Sequence, residues 1–158
     1  MTAYLIVKYL HVIGAAVLLG TGAGIAFFML MAHRTGDVAL IAGVARIVVV
    51  ADYLFTATAV IAQPVTGLLL AVQLGYSRAD DWILASLALY LLTGAFWLPV
   101  LWMQTRMRDM ARASLADGVP LPPAYHRLFR RWFAFGLPAF GAVMLIYWLM
   151  IARPETLW

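Results

Sequence analysis

A histidine inside a run of apolar residues is the feature of this chain with the most chemical content. His11 follows Tyr4 by seven positions, roughly 10 Å along a helix at about 1.5 Å per residue. Neutral imidazole is a usual axial ligand of haem iron, and an ionisable side chain within a membrane helix marks a site by default. Gly14 and Ala15, three and four positions on, leave room beside it for a large flat ligand, so Gly14 joins the candidate cofactor contacts. Lys8, three positions back, shares that side and either snorkels outward or meets a propionate. The alternative is a histidine that hydrogen-bonds a neighbouring helix and does nothing more. A second donor for iron is harder to find. His33 lies roughly 33 Å further along an ideal helix, and His126 sits in a polar connection, so neither shares an iron with His11. Met144 lies at comparable depth in the last apolar run and offers a soft thioether, while five-coordinate iron fits equally well. Two readings of His11 therefore stand side by side: the metal ligand of a bound haem b, or a histidine that only bonds a neighbouring helix.

A second group of polar residues follows helical spacing. Asp52, Thr56 and Gln63, continued by Gly67, fall on one side of a helix, and Pro64 predicts a kink that frees a backbone carbonyl one turn earlier. Ser86, Tyr90, Thr93 and Trp97 form a similar face further on. Together they read as a polar interior stripe of Asp52, Thr56, Gln63, Ser86 and Thr93. Such a stripe lines a proton or ion route, or else supplies hydrogen bonds between helices, with Asp52 paired to an arginine such as Arg131.

Other motifs resolve to packing. Gly20-Thr21-Gly22-Ala23-Gly24 has no preceding strand and the wrong spacing for a phosphate loop; Ala16, Gly20 and Gly24 instead form a small-residue stripe for close helix approach. Met103, Met107 and Met110 make a short helical run suited to packing, and His33 and His126 are two unspaced histidines at one end. With no cysteine there is no disulfide, thiolate site or cysteine nucleophile, and no span carries paired carboxylates or a Ser-His-Asp pattern.

These residues need elements to hold them, and composition says which. Of 158 residues, 65% are hydrophobic and 11% charged, against about half and about a quarter in a soluble domain. A helix crossing about 30 Å of hydrocarbon needs about 20 mostly apolar residues. Four segments qualify, at about 4–31, 47–73, 82–104 and 132–152, predicting an all-α, antiparallel four-helix bundle in the membrane, one domain over 1–158. The first is too long for a signal peptide and lacks a basic start, so it reads as a retained span. Gly36-Asp37 marks one turn, the short 75–81 connection another, and Asp117-Gly118 followed by Pro120, Pro122 and Pro123 the third.

Charge then orients the bundle. Arg34, Arg46, Arg106, Arg108, Arg112, Arg127, Arg130 and Arg131 share one end; Lys8, Arg78 and Arg153 share the other. Positive charge gathers on the cytoplasmic side, which places both termini outside, in the periplasm of a bacterial inner membrane. The arginine collar reads as a contact for anionic lipid rather than nucleic acid, since its residues lie between apolar spans. Trp82, Trp132, Trp148 and Trp158 fall near span ends, as interfacial belts do.

Several stretches resemble a family of bacterial integral membrane proteins grouped as domain of unknown function 2269. They include Tyr9-Leu10-His11-Val12-Ile13-Gly14, Ala51-Asp52-Tyr53-Leu54-Phe55-Thr56, Gln63-Pro64-Val65-Thr66-Gly67, Tyr90 to Pro99 and Arg130-Arg131-Trp132-Phe133-Ala134. The resemblance implies a four-helix membrane fold and brings no reaction. A looser likeness joins the chain to copper-resistance D membrane proteins and to the HemJ-type protoporphyrinogen oxidase, whose first-helix histidine binds haem b; at the matching position that makes His11 an axial ligand. The HemJ type also carries a lysine in its third helix, where this chain offers Ser86, a departure that speaks against oxidase activity.

Three functions follow as expectations. The first is a small b-type haem protein passing electrons to a membrane redox partner, alone or as a homo-oligomer. The second is a non-enzymatic structural or assembly subunit of a larger membrane complex. The third is a small transporter of a proton, ion or solute built on Asp52, Thr56 and Gln63.

Overall fold

The computed structural model describes residues 2–77 and 80–154; Arg78 and Trp158 lie outside them. Helix α1 runs Thr2–Thr35, α2 Val38–Ala51, α3 Ala57–Gln73, α4 Asp81–Asp117 and α5 Pro123–Ala152. A π-helical turn, Asp52–Thr56, joins α2 to α3, so the two form one continuous span. Among the described residues, four helical stretches are long and apolar enough to cross a membrane: α1, α2 with α3, α4, and α5.

Turn chemistry sets the ends. Gly36 takes a left-handed φ of 69°, and Asp37 caps α2 by accepting from the Ala39 and Leu40 amides at 2.8 and 3.4 Å. Gly118, at φ 64°, closes α4, with Val119 N–H bonded to Ser114 O at 3.0 Å. Pro122 and Pro123 then open α5, where the missing amide costs nothing.

The helices run further than the apolar segments. The connections expected over 33–46 and 105–131 shrink to Gly36-Asp37 and residues 118–122. Charge ends a lipid-crossing segment, but it does not end a helix. Beyond the apolar span, α4 continues for about 20 Å to Asp117. Its inward face there carries Met107, Ala111 and Ser114, all buried, while its arginines turn outward.

That Arg-rich end holds most of the core. Ile41, Ala45 and Val48 of α2 meet Met29 and Ala32 of α1, Met103, Met107 and Ala111 of α4, and Tyr125, Phe129 and Trp132 of α5. A smaller cluster of Ala71, Trp82, Ile83 and Leu149 closes the end carrying both termini. The distribution has a physical reason. Lipid tails solvate leucine as well as leucine does, so burial drives packing only where helices leave the lipid. Helices α4 and α5 form the most extensive pair; α1 packs on α2 and α3, and α4 links the halves through α2.

Candidate functional site

His11 sits half-buried on the side of α1 that faces α3. Its Nδ1 lies 2.9 Å from Thr66 Oγ1. The Thr66 hydroxyl proton is committed within α3, with Oγ1 2.8 Å from Ala62 O and 3.3 Å from Gln63 O. Thr66 therefore accepts from His11 Nδ1–H, and this tautomer leaves the Nε2 lone pair free of hydrogen bonds among the described residues. A fixed Nδ1–H partner with a free Nε2 is the arrangement that a ligating histidine uses.

The helices come close here because their facing residues are small. A Cβ on Gly67 would lie 3.2 Å from His11 Cε1, and one on Gly14 would collide with the Gln63 amide. Gln63 Nε2 also donates to His11 O at 3.0 Å. The space expected beside Gly14 for a flat ligand thus holds the Gln63 side chain. Lys8, exposed one turn away, rests over the Tyr4 ring at 5.7 Å. Met144 is exposed on α5, whereas His11 turns to α3. Of the expected cofactor contacts, His11 is the one whose ring nitrogen, Nε2, could hold a metal; the space beside Gly14 is filled by Gln63 and Met144 lies exposed on α5.

Asp52 opens a different site. It is 2% exposed, and its carboxylate accepts from Trp97 Nε1 of α4 at 3.3 Å. Gln104, buried on α4, donates through its amide to Asp52 Oδ2 at 2.8 Å and accepts from Trp132 Nε1 of α5 at 3.2 Å. The expected ion pair with Arg131 does not form. Uncharged donors satisfy the carboxylate instead, and Arg131 points to the surface groove between α4 and α5. Among the described residues, Thr56 Oγ1 is buried with no hydrogen-bond partner within bonding distance.

The expected stripe therefore divides. Asp52 bonds Trp97 and Gln104 of α4 while Gln63 bonds the His11 carbonyl of α1, because the intervening π turn inserts a residue and rotates the later face. Ser86 and Thr93 return their hydroxyls to Trp82 O and Leu89 O of their own helix, at 2.7 and 2.8 Å. Tyr90 instead crosses the bundle. Its hydroxyl donates to Val60 O, the carbonyl that Pro64 leaves without its helical amide.

At the Arg-rich end, His33 stacks on Phe129 with ring centroids 3.7 Å apart and meets His126 at 5.5 Å. No group of three or more His, Cys, Asp or Glu that could hold a metal ion occurs among the described residues. The site residues that sequence reasoning missed are Thr66, Gln104 and the indole of Trp132. Each is a polar group in an apolar helix, yet only a neighbouring helix reveals its partner.

No curated protein and no solved structure matches the chain. A family model described as "Predicted integral membrane protein (DUF2269)" matches residues 5–154. Four apolar helices and a match over nearly the whole length lead to one conclusion: this multi-pass integral membrane protein belongs to the DUF2269 family.

Proposed function

We propose that this protein is a small b-type haem protein of a bacterial inner membrane that passes electrons to a membrane partner, with His11 as axial ligand. One observation carries the reading: Thr66 Oγ1, 2.9 Å from His11 Nδ1, accepts its N–H and leaves Nε2 free. When bound, haem supplies one-electron redox chemistry. The chain's own residues position and tune the ligand. Thr66 fixes the tautomer and ring plane of His11 and raises its basicity. Gln63 ties the His11 carbonyl to α3, so the ligand's backbone is anchored as well as its ring. Lys8 is exposed and charged, available to a propionate carboxylate.

The Arg-rich end faces the cytoplasm and both termini lie outside, on the bias of eight basic residues against three. The collar contacts anionic lipid.

The test is an oxidised and reduced absorption spectrum of the protein purified in mild detergent, with a pyridine haemochrome assay. A stoichiometric b-type signal supports the reading. A colourless protein after expression with added haem precursor overturns it.

A second reading, proton or ion movement through Asp52, is favoured by a specific observation. A buried carboxyl whose partners are uncharged exchanges a proton more readily than one locked to a cation. In proteoliposomes, Asp52→Asn is expected to abolish flux while the fold survives. Unchanged flux in a folded Asp52→Asn protein ends this reading.

A further inference from the structure

The arginines of the collar are not equivalent. Arg108 is spoken for by its neighbour, with Nη2 2.7 Å and Nε 2.9 Å from Asp109 Oδ1. Arg106, Arg127 and Arg131 instead line one groove of about 550 Å³ between α4 and α5. Asp109 lines it too, with its charge already matched by Arg108. Among the described residues, no carboxylate pairs with any of the three. Arg127 and Arg131 are four residues apart and so share a face of α5, while Arg106 approaches from α4.

The groove also has a depth. Arg106 and Arg131 stand just past the ends of the apolar runs 82–104 and 132–152, at the level of lipid headgroups. Trp102, exposed on the lipid side of Arg106, carries that guanidinium 5.7 Å from its ring centre, as an interfacial indole does. Leu128 adds an apolar wall. Three unneutralised guanidinium groups in one concavity repel one another until an anion joins them. An anion that arrives with acyl chains also covers the apolar surface beyond Trp102, which a soluble ion does not.

We propose that this groove is a specific site for an anionic phospholipid with two negative charges in its headgroup, of the diphosphatidylglycerol class. Two phosphodiesters spread over three guanidinium forks neutralise two of the three charges and meet the bidentate geometry that arginine prefers. A headgroup with one phosphodiester engages only part of the set. The proposal rests on membrane embedding and not on His11, so the absorption spectrum leaves it untouched.

The test is native mass spectrometry of the whole protein in detergent, titrated separately with diphosphatidylglycerol, phosphatidylglycerol and phosphatidylcholine. Wild type is expected to retain diphosphatidylglycerol at least about tenfold more tightly than phosphatidylglycerol, and phosphatidylcholine weakest. The triple variant Arg106→Gln, Arg127→Gln, Arg131→Gln is expected to lose that preference. A control with the same charge change, Arg34→Gln, Arg46→Gln, Arg112→Gln, alters exposed arginines outside the groove and is expected to keep it. Should the groove triple fail to fold, Arg127→Gln alone is expected to weaken diphosphatidylglycerol retention measurably. Equal loss in both triples means a diffuse charge effect and overturns the proposal. Displacement of the lipid by millimolar inorganic pyrophosphate means a soluble-anion site and overturns it too.

Discussion

A hydroxyl carries one proton, and in Thr66 that proton goes to the backbone of its own helix, so the oxygen is left to accept from His11. Thr66→Val keeps the shape and removes the acceptor. It also leaves Nδ1–H half-buried without a partner, free to move the proton to Nε2 and block ligation. Loss of an outer-shell partner typically costs about 10–100-fold in affinity, and that is the expected loss of haem affinity in Thr66→Val, read by optical titration. A variant that binds haem as wild type does would mean that Thr66 does not orient the ligand. At this scale the sequence was legible in part. His11 and Asp52 stand out because polar groups in apolar runs are conspicuous. Their partners do not: charge alone pairs Asp52 with Arg131, whereas the carboxylate meets Trp97 and Gln104. A charge next to lipid reaches outward to headgroups more cheaply than it is desolvated inward to meet an acid.

Among the elements, the span from α2 to α3 determines how the two polar sites relate. Its π turn separates the Asp52 face from the Gln63 and Thr66 face, and Pro64 exposes Val60 O to Tyr90. Pro64 and its freed carbonyl are readable from one residue type. The π turn is not, because it shows no residue signature and appears only as a change in which neighbour each side chain meets. The Tyr90 bond yields a coupled prediction. Tyr90→Phe alone leaves a carbonyl without its donor and is expected to lower stability by about 1 kcal/mol. In a Pro64→Ala background the restored amide at position 64 satisfies Val60 O, so Tyr90→Phe becomes close to neutral. Thermal unfolding of the four proteins in detergent measures the coupling as a double-mutant cycle. Strict additivity would show that Tyr90 does not replace the lost amide.

Over the whole molecule, four spans and their order were legible because hydrophobic length is dictated by bilayer thickness. Helix ends at the Arg-rich side were not. Charges mark where lipid stops, and there the chain changes solvent without changing secondary structure. The water-facing extension then needs a core of its own, which Met107, Ala111, Tyr125 and Phe129 supply. Stability is therefore expected to depend on that end. Met107→Ala, at a fully buried position, should cost about 2–5 kcal/mol. Leu91→Ala, at a position 72% exposed along the lipid-crossing part of α4, should cost under about 1 kcal/mol. Unfolding midpoints of the two variants decide the matter, and similar losses would mean that packing within the membrane span contributes as much as the extension does.

Whether His11 binds iron is decided by titrating haem into purified wild type and His11→Ala. Wild type is expected to bind haem saturably with a sharp Soret band that shifts on reduction, while His11→Ala, equally folded by its unfolding midpoint, is expected to show only the spectrum of free haem in detergent. A folded His11→Ala protein that binds haem with the wild-type spectrum and affinity would contradict the assignment.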